Sequence, residues 1–342
     1  MSSPLLQKLF IHDVAIDPGS ANTLICVRER GVVLNQPSVL CWRRSGLTGP
    51  PRIEAVGEQA KALLGRAPAH LETVRPMQHG LIVDRLAAQH MIHEFIGMSH
   101  TRGLPGRRVE WTICVPSNAT PIERRTIGEA VLAAGAPRVQ LISEAIAAAL
   151  GAGLPVDAAV GSMVVDIGGG TTEVAAIALG GILEHAGVRM GSDQFDAAIV
   201  QHVRNQYGVL LGEQMAECVK KTIGTASCAV PRRSMRVIGR GVRDGLPRTI
   251  EVSNHDIADA LVAPLRAIVD VVKTVLERAP AEIVTDIANR GIVLTGGGAM
   301  LSELPQRLTR EAGVPVRLAE EPLTCAVRGA SKAAGRLLFA AE

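Results

Sequence analysis

Asp166-Ile167-Gly168-Gly169-Gly170-Thr171-Thr172-Glu173 follows directly on Ser162-Met163-Val164-Val165, a short apolar run of strand character. A strand that ends on a carboxylate and opens into three glycines has two readings. One is a tight hairpin that needs glycine. The other is a phosphate loop, in which glycines let the backbone come close and aim N–H groups at an anion. Threonine hydroxyls would add donors. Asp166 would repel a phosphate directly, so in that reading it holds a hydrated magnesium ion through water.

A second stretch follows the same logic. Asp17-Pro18-Gly19-Ser20-Ala21-Asn22-Thr23 places a carboxylate, a glycine turn, and hydroxyl and amide donors after an apolar strand. Two such loops can clamp a β- and γ-phosphate, with magnesium between Asp17 and Asp166. The pair is far more specific than either loop alone. The unit of apolar strand, Asp, glycine turn, Thr and second strand occurs at residues 14–27 and again at 163–178, which suggests a duplicated architecture. A ligand would then bind in the cleft between the halves. A third loop, Thr295-Gly296-Gly297-Gly298-Ala299-Met300, follows a strand and opens a helix. It is suited to a flat adenine and ribose. Its spacing is not the GxGxxG fingerprint, and no GxxxxGK[ST] motif occurs, which excludes a P-loop ATPase.

Working outward, short apolar strands alternate with helical stretches, the pattern of α/β layers. Strands are expected at 14–27 (two, joined at Pro18-Gly19), 32–42, 109–115, 139–142, 162–166, 174–179, 182–188, 236–238, 249–252, 291–295 and 314–318. Helices are expected at 57–64, 86–96, 121–134, 144–151, 193–207, 212–223, 256–277, 301–311 and 325–338. Thr120 and Pro121 start one helix and Gly135 stops it. The Ala-rich stretch 144–151 permits close packing.

Composition bounds the rest. The 342 residues argue for two domains. Aromatics are only 2%, so the core is aliphatic. A net charge of +3 gives no footprint for nucleic acid. The pairs Arg107-Arg108, Arg124-Arg125 and Arg232-Arg233 read as solvated surface, with attraction to anionic lipid as the lesser alternative. Six scattered cysteines without a CxxC pair fit reduced thiols in a cytosolic protein. No apolar run of transmembrane length exists, and no secretory signal is expected. His90, His93 and Glu94 do not follow the HExxH order and read as a solvated helix face.

Taken together, the three loops resemble the actin–sugar kinase–chaperone ATPase superfamily, and within it most closely the bacterial actins, the MreB family. The similarity runs over nearly the whole chain. Its most specific stretches are 17–23, Arg75-Pro76-Met77, Glu123-Arg124-Arg125, 148–155, 161–174, 295–299 and Pro322-Leu323-Thr324-Cys325. The resemblance implies a two-domain actin-like ATPase fold of duplicated ribonuclease-H-like domains around a nucleotide cleft. Domain I would comprise 1–143 and 320–342, with a small subdomain at roughly 34–66. Domain II would comprise 144–319, with a small subdomain at roughly 181–252. The resemblance further implies a cytoplasmic protein at the inner face of the cell membrane. It would form homopolymer filaments and work with cell-wall elongation and shape proteins.

Residue by residue, the resemblance gives Ser20, Ala21 and Asn22 as first-loop ATP contacts, with Ser where the family has Thr. Gly169, Gly170 and Thr171 are the second-loop contacts. Glu217, Cys218, Val219 and Lys220 flank the ribose and adenine. Gly297, Gly298, Ala299 and Met300 form the adenine loop. Glu144 orients the attacking water, assisted by Thr171, and hydrolysis would be slow. Two departures bear on this. Pro18 replaces an aliphatic residue and removes one N–H. Ser143-Glu144-Ala145 stands where the family has two acids and a proline, so one carboxylate is missing. A nucleotide-binding scaffold without hydrolysis therefore stays open. A sugar or acetate kinase and a chaperone ATPase stay open behind it, although no acceptor-binding insertion and no further substrate domain are expected.

Residues 4–11 can form a short amphipathic helix with Leu5, Leu6, Leu9 and Phe10 on one side, a weak membrane anchor strengthened by polymer avidity. Residues 98–108, with Met98 and Leu104 among arginines, are the second membrane candidate.

Overall fold

The computed structural model describes residues 11–44, 51–101 and 108–334. The proposed N-terminal anchor and residues 102–107 of the second membrane candidate lie outside the described residues. The chain divides into two compact units: 1–159 with 177–182 and 323–342, and 160–176 with 183–322.

Unit 1 is organised by a five-stranded sheet in the order Val139–Ser143, Arg108–Val115, Ile11–Pro18, Asn22–Val27, Gly31–Pro37. Ile11–Pro18 runs parallel to Arg108–Val115 and antiparallel to Asn22–Val27. Its inward residues Val14 and Ile16 are fully buried with Phe95, Met91 and Ile113. The helix Pro121–Ala133 starts at the expected cap Thr120, which forms a capping box with Glu123: each side chain satisfies the other's backbone N–H group. A small three-stranded sheet at Leu40–Arg43, Arg52–Val56 and Leu71–Val74 completes the unit.

The Ala-rich helix Glu144–Gly151 does pack closely. Its partner is Cys325–Ala333. A Cβ on Gly329 would overlap the Ala147 carbonyl, and one on Gly151 would overlap the Cys325 carbonyl. Only glycine lets these two helix backbones touch.

Unit 2 repeats the plan. Its sheet runs Gly181–Val188, Thr172–Ala178, Ser162–Ile167, Ile292–Thr295, Val316–Leu318. In each unit the strand that ends at the key aspartate is central. A parallel neighbour flanks it on one side and the next two strands in sequence flank it on the other. That is the duplication read from residues 14–27 and 163–178. Ser162–Ile167 is buried along its whole length, as a central strand covered on both faces must be. A second small sheet comprises Val209–Leu210, Ser234–Gly241 and Pro247–Ser253.

Several details differ from the sequence expectations. The strand expected at 32–42 is two, Gly31–Pro37 and Leu40–Arg43, in different sheets, and Arg52–Val56 and Leu71–Val74 were not foreseen. The single helix expected at 256–277 is two, Asn254–Ala260 and Val262–Arg278, broken at Leu261. Pro264, at the third position of the second helix, explains the break, because proline belongs in a first turn. The helix Ala281–Arg290 was not foreseen. It packs under the start of the central strand, where Asp286 accepts the Gly161 N–H at 2.7 Å. The stretch expected as a helix at 301–311 starts later, as Leu304–Ala312 after a 3-10 turn at Gly298–Met300.

Among the described residues no helix is long and apolar enough to cross a membrane.

Candidate functional site

In unit 1 the first loop is fixed from behind by its own sheet. Asp17, half-buried, is the penultimate residue of Ile11–Pro18 and pairs with Leu24 across the hairpin. Gly19 must be glycine, since a Cβ there would come within 2.7 Å of the Asn22 carbonyl oxygen. Ser38 donates its hydroxyl to the Gly19 carbonyl at 2.6 Å and lies 2.9 Å from the Thr23 hydroxyl. Both Ser38 and Thr23 are completely buried. Ser20 Oγ accepts the Gly80 N–H at 2.8 Å, so the Ser20 hydroxyl still has a proton to donate outward. Asn22 donates to Asn35 Oδ1. Pro18 is buried at the strand end, opposite Thr23.

Glu144 stands half-buried at the first position of its helix, where the dipole favours a carboxylate. Ser143 precedes it as N-cap but caps nothing with its side chain. Its hydroxyl lies 2.8 Å from that of Ser117.

In unit 2 the second and third loops are neighbours because their strands are. Ser162–Ile167 and Ile292–Thr295 are parallel and in register, with Asp166 opposite Thr295. Both strands therefore deliver their loops at the same, C-terminal edge, where open α/β sheets bind ligands. Thr295 Oγ1 donates to Asp166 Oδ1 at 2.6 Å, and Asp166 is only 5% exposed. A buried carboxylate needs such a donor, and a charge-assisted bond of this length is a strong one. Gly296 adopts φ +83° and, with Gly298, lies against Ile167. A Cβ on Gly298 would be 2.5 Å from Ile167 Cγ2. The glycines of the third loop thus serve the packing of the second.

The second loop is held along its carbonyl side. Gly168 N–H closes the loop on the Thr171 carbonyl at 2.9 Å. The Gly168 and Gly169 carbonyls accept the N–H groups of Ser192 and Asp193 at 3.0 and 2.8 Å. Gly191, just before the helix Ser192–Tyr207, allows this approach, since a Cβ there would be 2.5 Å from the Gly169 oxygen. Thr172 donates to the Met190 carbonyl at 2.7 Å.

The helix Glu213–Ile223 carries four expected site residues, and they face different ways. Val219 is core, as is Ala299 of the third loop. Cys218 is exposed, as is Met300. Glu217 accepts from Lys221 at 2.7 Å. Lys220 turns inward and donates to Asp196 Oδ2 at 2.8 Å and to the Ser192 carbonyl at 2.9 Å. Burial pushes the Asp196 carboxyl up to about 6, with Lys220 pulling the other way and Glu217 and Asp193 adding to the rise.

Sequence reading missed Ser38, Gly80, Gly191, Ser192 and Asp196. Gly191 carried a signal. It precedes a helix and has Gln194 three residues on, and Gln194 does accept the Gly191 N–H at 2.7 Å.

Two duplicated α/β units, each with an aspartate-ended central strand opening into a glycine turn, define the actin-like class of proteins. The chain belongs to the MreB/Mbl protein family, whose model matches residues 11–338. It is 47% identical to the cell shape-determining protein MreB of Escherichia coli strain K12 over 327 residues, 95% of this chain and 94% of that one. It is 39% identical to the cell shape-determining protein Mbl of Bacillus subtilis strain 168 over 322 residues, 94% of this chain and 95% of that one. Among solved structures it is similar to MreB5 of Spiroplasma citri bound to ADP, with a TM-score of 0.87 and 30% identity, covering 96% of this chain and 97% of that one.

Proposed function

We propose that this chain is a shape-determining cytoskeletal protein that binds Mg-ATP, polymerises into membrane-associated filaments and directs cell-wall synthesis. The observation that carries nucleotide binding is the buried Asp166, fixed by Thr295 at the mouth of a triple-glycine loop. The ADP bound to the Spiroplasma MreB5 relative supports the same reading. In this reading residues 20–22 and 169–171 contact the phosphates. The helix bearing Glu217 and Lys220 and the loop 297–300 take the ribose and base.

The donor set fits magnesium. Asp17 and Asp166 offer hard carboxylate oxygens, and among the described residues no group of three or more His, Cys, Asp or Glu side chains could wrap a metal. That composition suits a hydrated ion held through water. The ion would neutralise phosphate charge when bound. Glu144, with Thr171, would orient a water for attack on the γ-phosphate.

Ser143 favours a second reading, a filament that binds nucleotide with little hydrolysis. Its hydroxyl is engaged with Ser117 and supplies no second carboxylate. Sedimentation and phosphate release, measured together with Mg-ATP at several protein concentrations, separate the two. Pelleting with concentration-dependent release supports the ATPase filament, and pelleting without release supports the scaffold. Release without pelleting contradicts both.

A further inference from the structure

We propose that Asp196 is a positioning residue for the nucleotide site: it anchors Lys220 and so locks the second glycine loop and the helix Glu213–Ile223 into one rigid piece. The inference rests on the nucleotide-binding reading above.

The bonds form a continuous strut. The loop carbonyls of Gly168 and Gly169 accept from Ser192 and Asp193. The Ser192 carbonyl accepts from Lys220, and Lys220 is closed on the far side by Asp196 Oδ2. Four hydrogen bonds therefore connect the phosphate loop, through the helix Ser192–Tyr207, to the helix that carries Glu217. The Lys220 and Asp196 side chains are 11% and 9% exposed, so Lys220 holds protein acceptors inside the unit rather than reaching for phosphate.

Packing alone does not account for this pair. Asp196 Oδ1 is buried and has no hydrogen-bond partner among the described residues. An apolar pair of similar volume would fill the space as well or better. What the ion pair adds is direction: Lys220 is held on the Ser192 carbonyl, and the helix that carries it is fixed there, while Glu217, one turn earlier, accepts from Lys221. The charged groups facing Asp196 are Lys220 and Glu217 from one helix and Asp193 from its own. Protonating Asp196 removes the charge that holds Lys220. Because burial pushes this carboxyl up to about 6, the release falls in a mildly acidic range.

The test is the affinity of the full chain for a fluorescent ADP analogue with magnesium, from about pH 5 to about pH 8, for wild type and Asp196→Asn. The analogue's phosphates titrate equally with both proteins, so the ratio of the two affinities isolates Asp196. The expected ratio favours wild type by roughly tenfold at the alkaline end, the worth of one charge-assisted bond, and approaches one at the acid end. A ratio constant across the range overturns the inference, since a purely structural role would not follow this titration. Wild type that binds no nucleotide at any pH overturns the site reading itself, and the inference with it. Should Asp196→Asn not fold, Lys220→Gln breaks the strut from the other side. It is expected to bind weakly, without the wild-type pH step. A Lys220→Gln chain that keeps that step overturns the inference.

Discussion

Gly296→Ala tests how the third loop supports the second. Two separate penalties follow from the structure. Gly296 sits at φ +83°, where an L side chain costs about 1 kcal/mol or somewhat more. The added Cβ would also overlap the Ile167 backbone, where the carbonyl carbon would be 2.6 Å away and the amide nitrogen 2.9 Å away. That neighbour is backbone and cannot rotate aside, so overpacking adds about 1–3 kcal/mol or more. The expected sum is about 2–5 kcal/mol. Gly313→Ala is the control. It has φ +72° but nothing within 4 Å of the new Cβ, so only the conformational penalty of about 1 kcal/mol applies. Both tryptophans, Trp42 and Trp111, lie in unit 1, so their fluorescence does not report on this site. Hydrogen exchange of the amides in Ser162–Ile167 and Ile292–Thr295 does. Exchange by opening should quicken about fivefold in Gly313→Ala and roughly thirtyfold or more in Gly296→Ala. Equal acceleration in the two variants would refute the claim that the loops are in obligatory backbone contact.

Other consequences follow from single contacts. Thr295→Val keeps the shape but strips buried Asp166 of its 2.6 Å donor, which should cost about 1.5–3 kcal/mol in unit 2 and weaken Mg-ATP binding about tenfold, read by exchange and by titration. Asp196 has a folded-state pKa of about 6, above its unfolded value, so the folded chain binds the proton more tightly. Its contribution to stability is full below about pH 4 and is lost as pH rises through about 6, by up to about 3 kcal/mol. Asp196→Asn should flatten that part of the stability–pH curve in denaturant titrations. Glu144→Gln should lower phosphate release about a hundredfold or more while nucleotide affinity stays within about twofold. A proportionate loss of both would place Glu144 in folding or binding instead.

Much of this architecture was legible because backbone chemistry wrote it into short motifs. An apolar run ending in Asp and opening into glycines has few solutions, and both copies appear as central strands. Thr120 and Pro121 announced a helix start because capping is a local interaction. The remainder depended on distant partners. Asp166 needs Thr295, 129 residues away, and only strand register puts them together. Gly296 and Gly298 looked like a cradle for a flat ring, yet their immediate neighbour is Ile167, which no periodicity reveals. Lys220 entered through the resemblance, and its partner Asp196, 24 residues earlier on another helix, carried no local signal. The helix Ala281–Arg290 escaped notice although Ile283, Val284 and Ile287 recur at helical spacing; it is short and buries only Ile287 fully.

The central claim is that the glycine loop opening at Asp166 binds nucleotide. Calorimetric titration of the full chain with Mg-ATP, for wild type and Asp166→Asn, measures it most directly. The account predicts saturable binding of one nucleotide per chain, weakened at least about tenfold by the substitution. No saturable binding by wild type, or equal affinity in the two proteins, would contradict it.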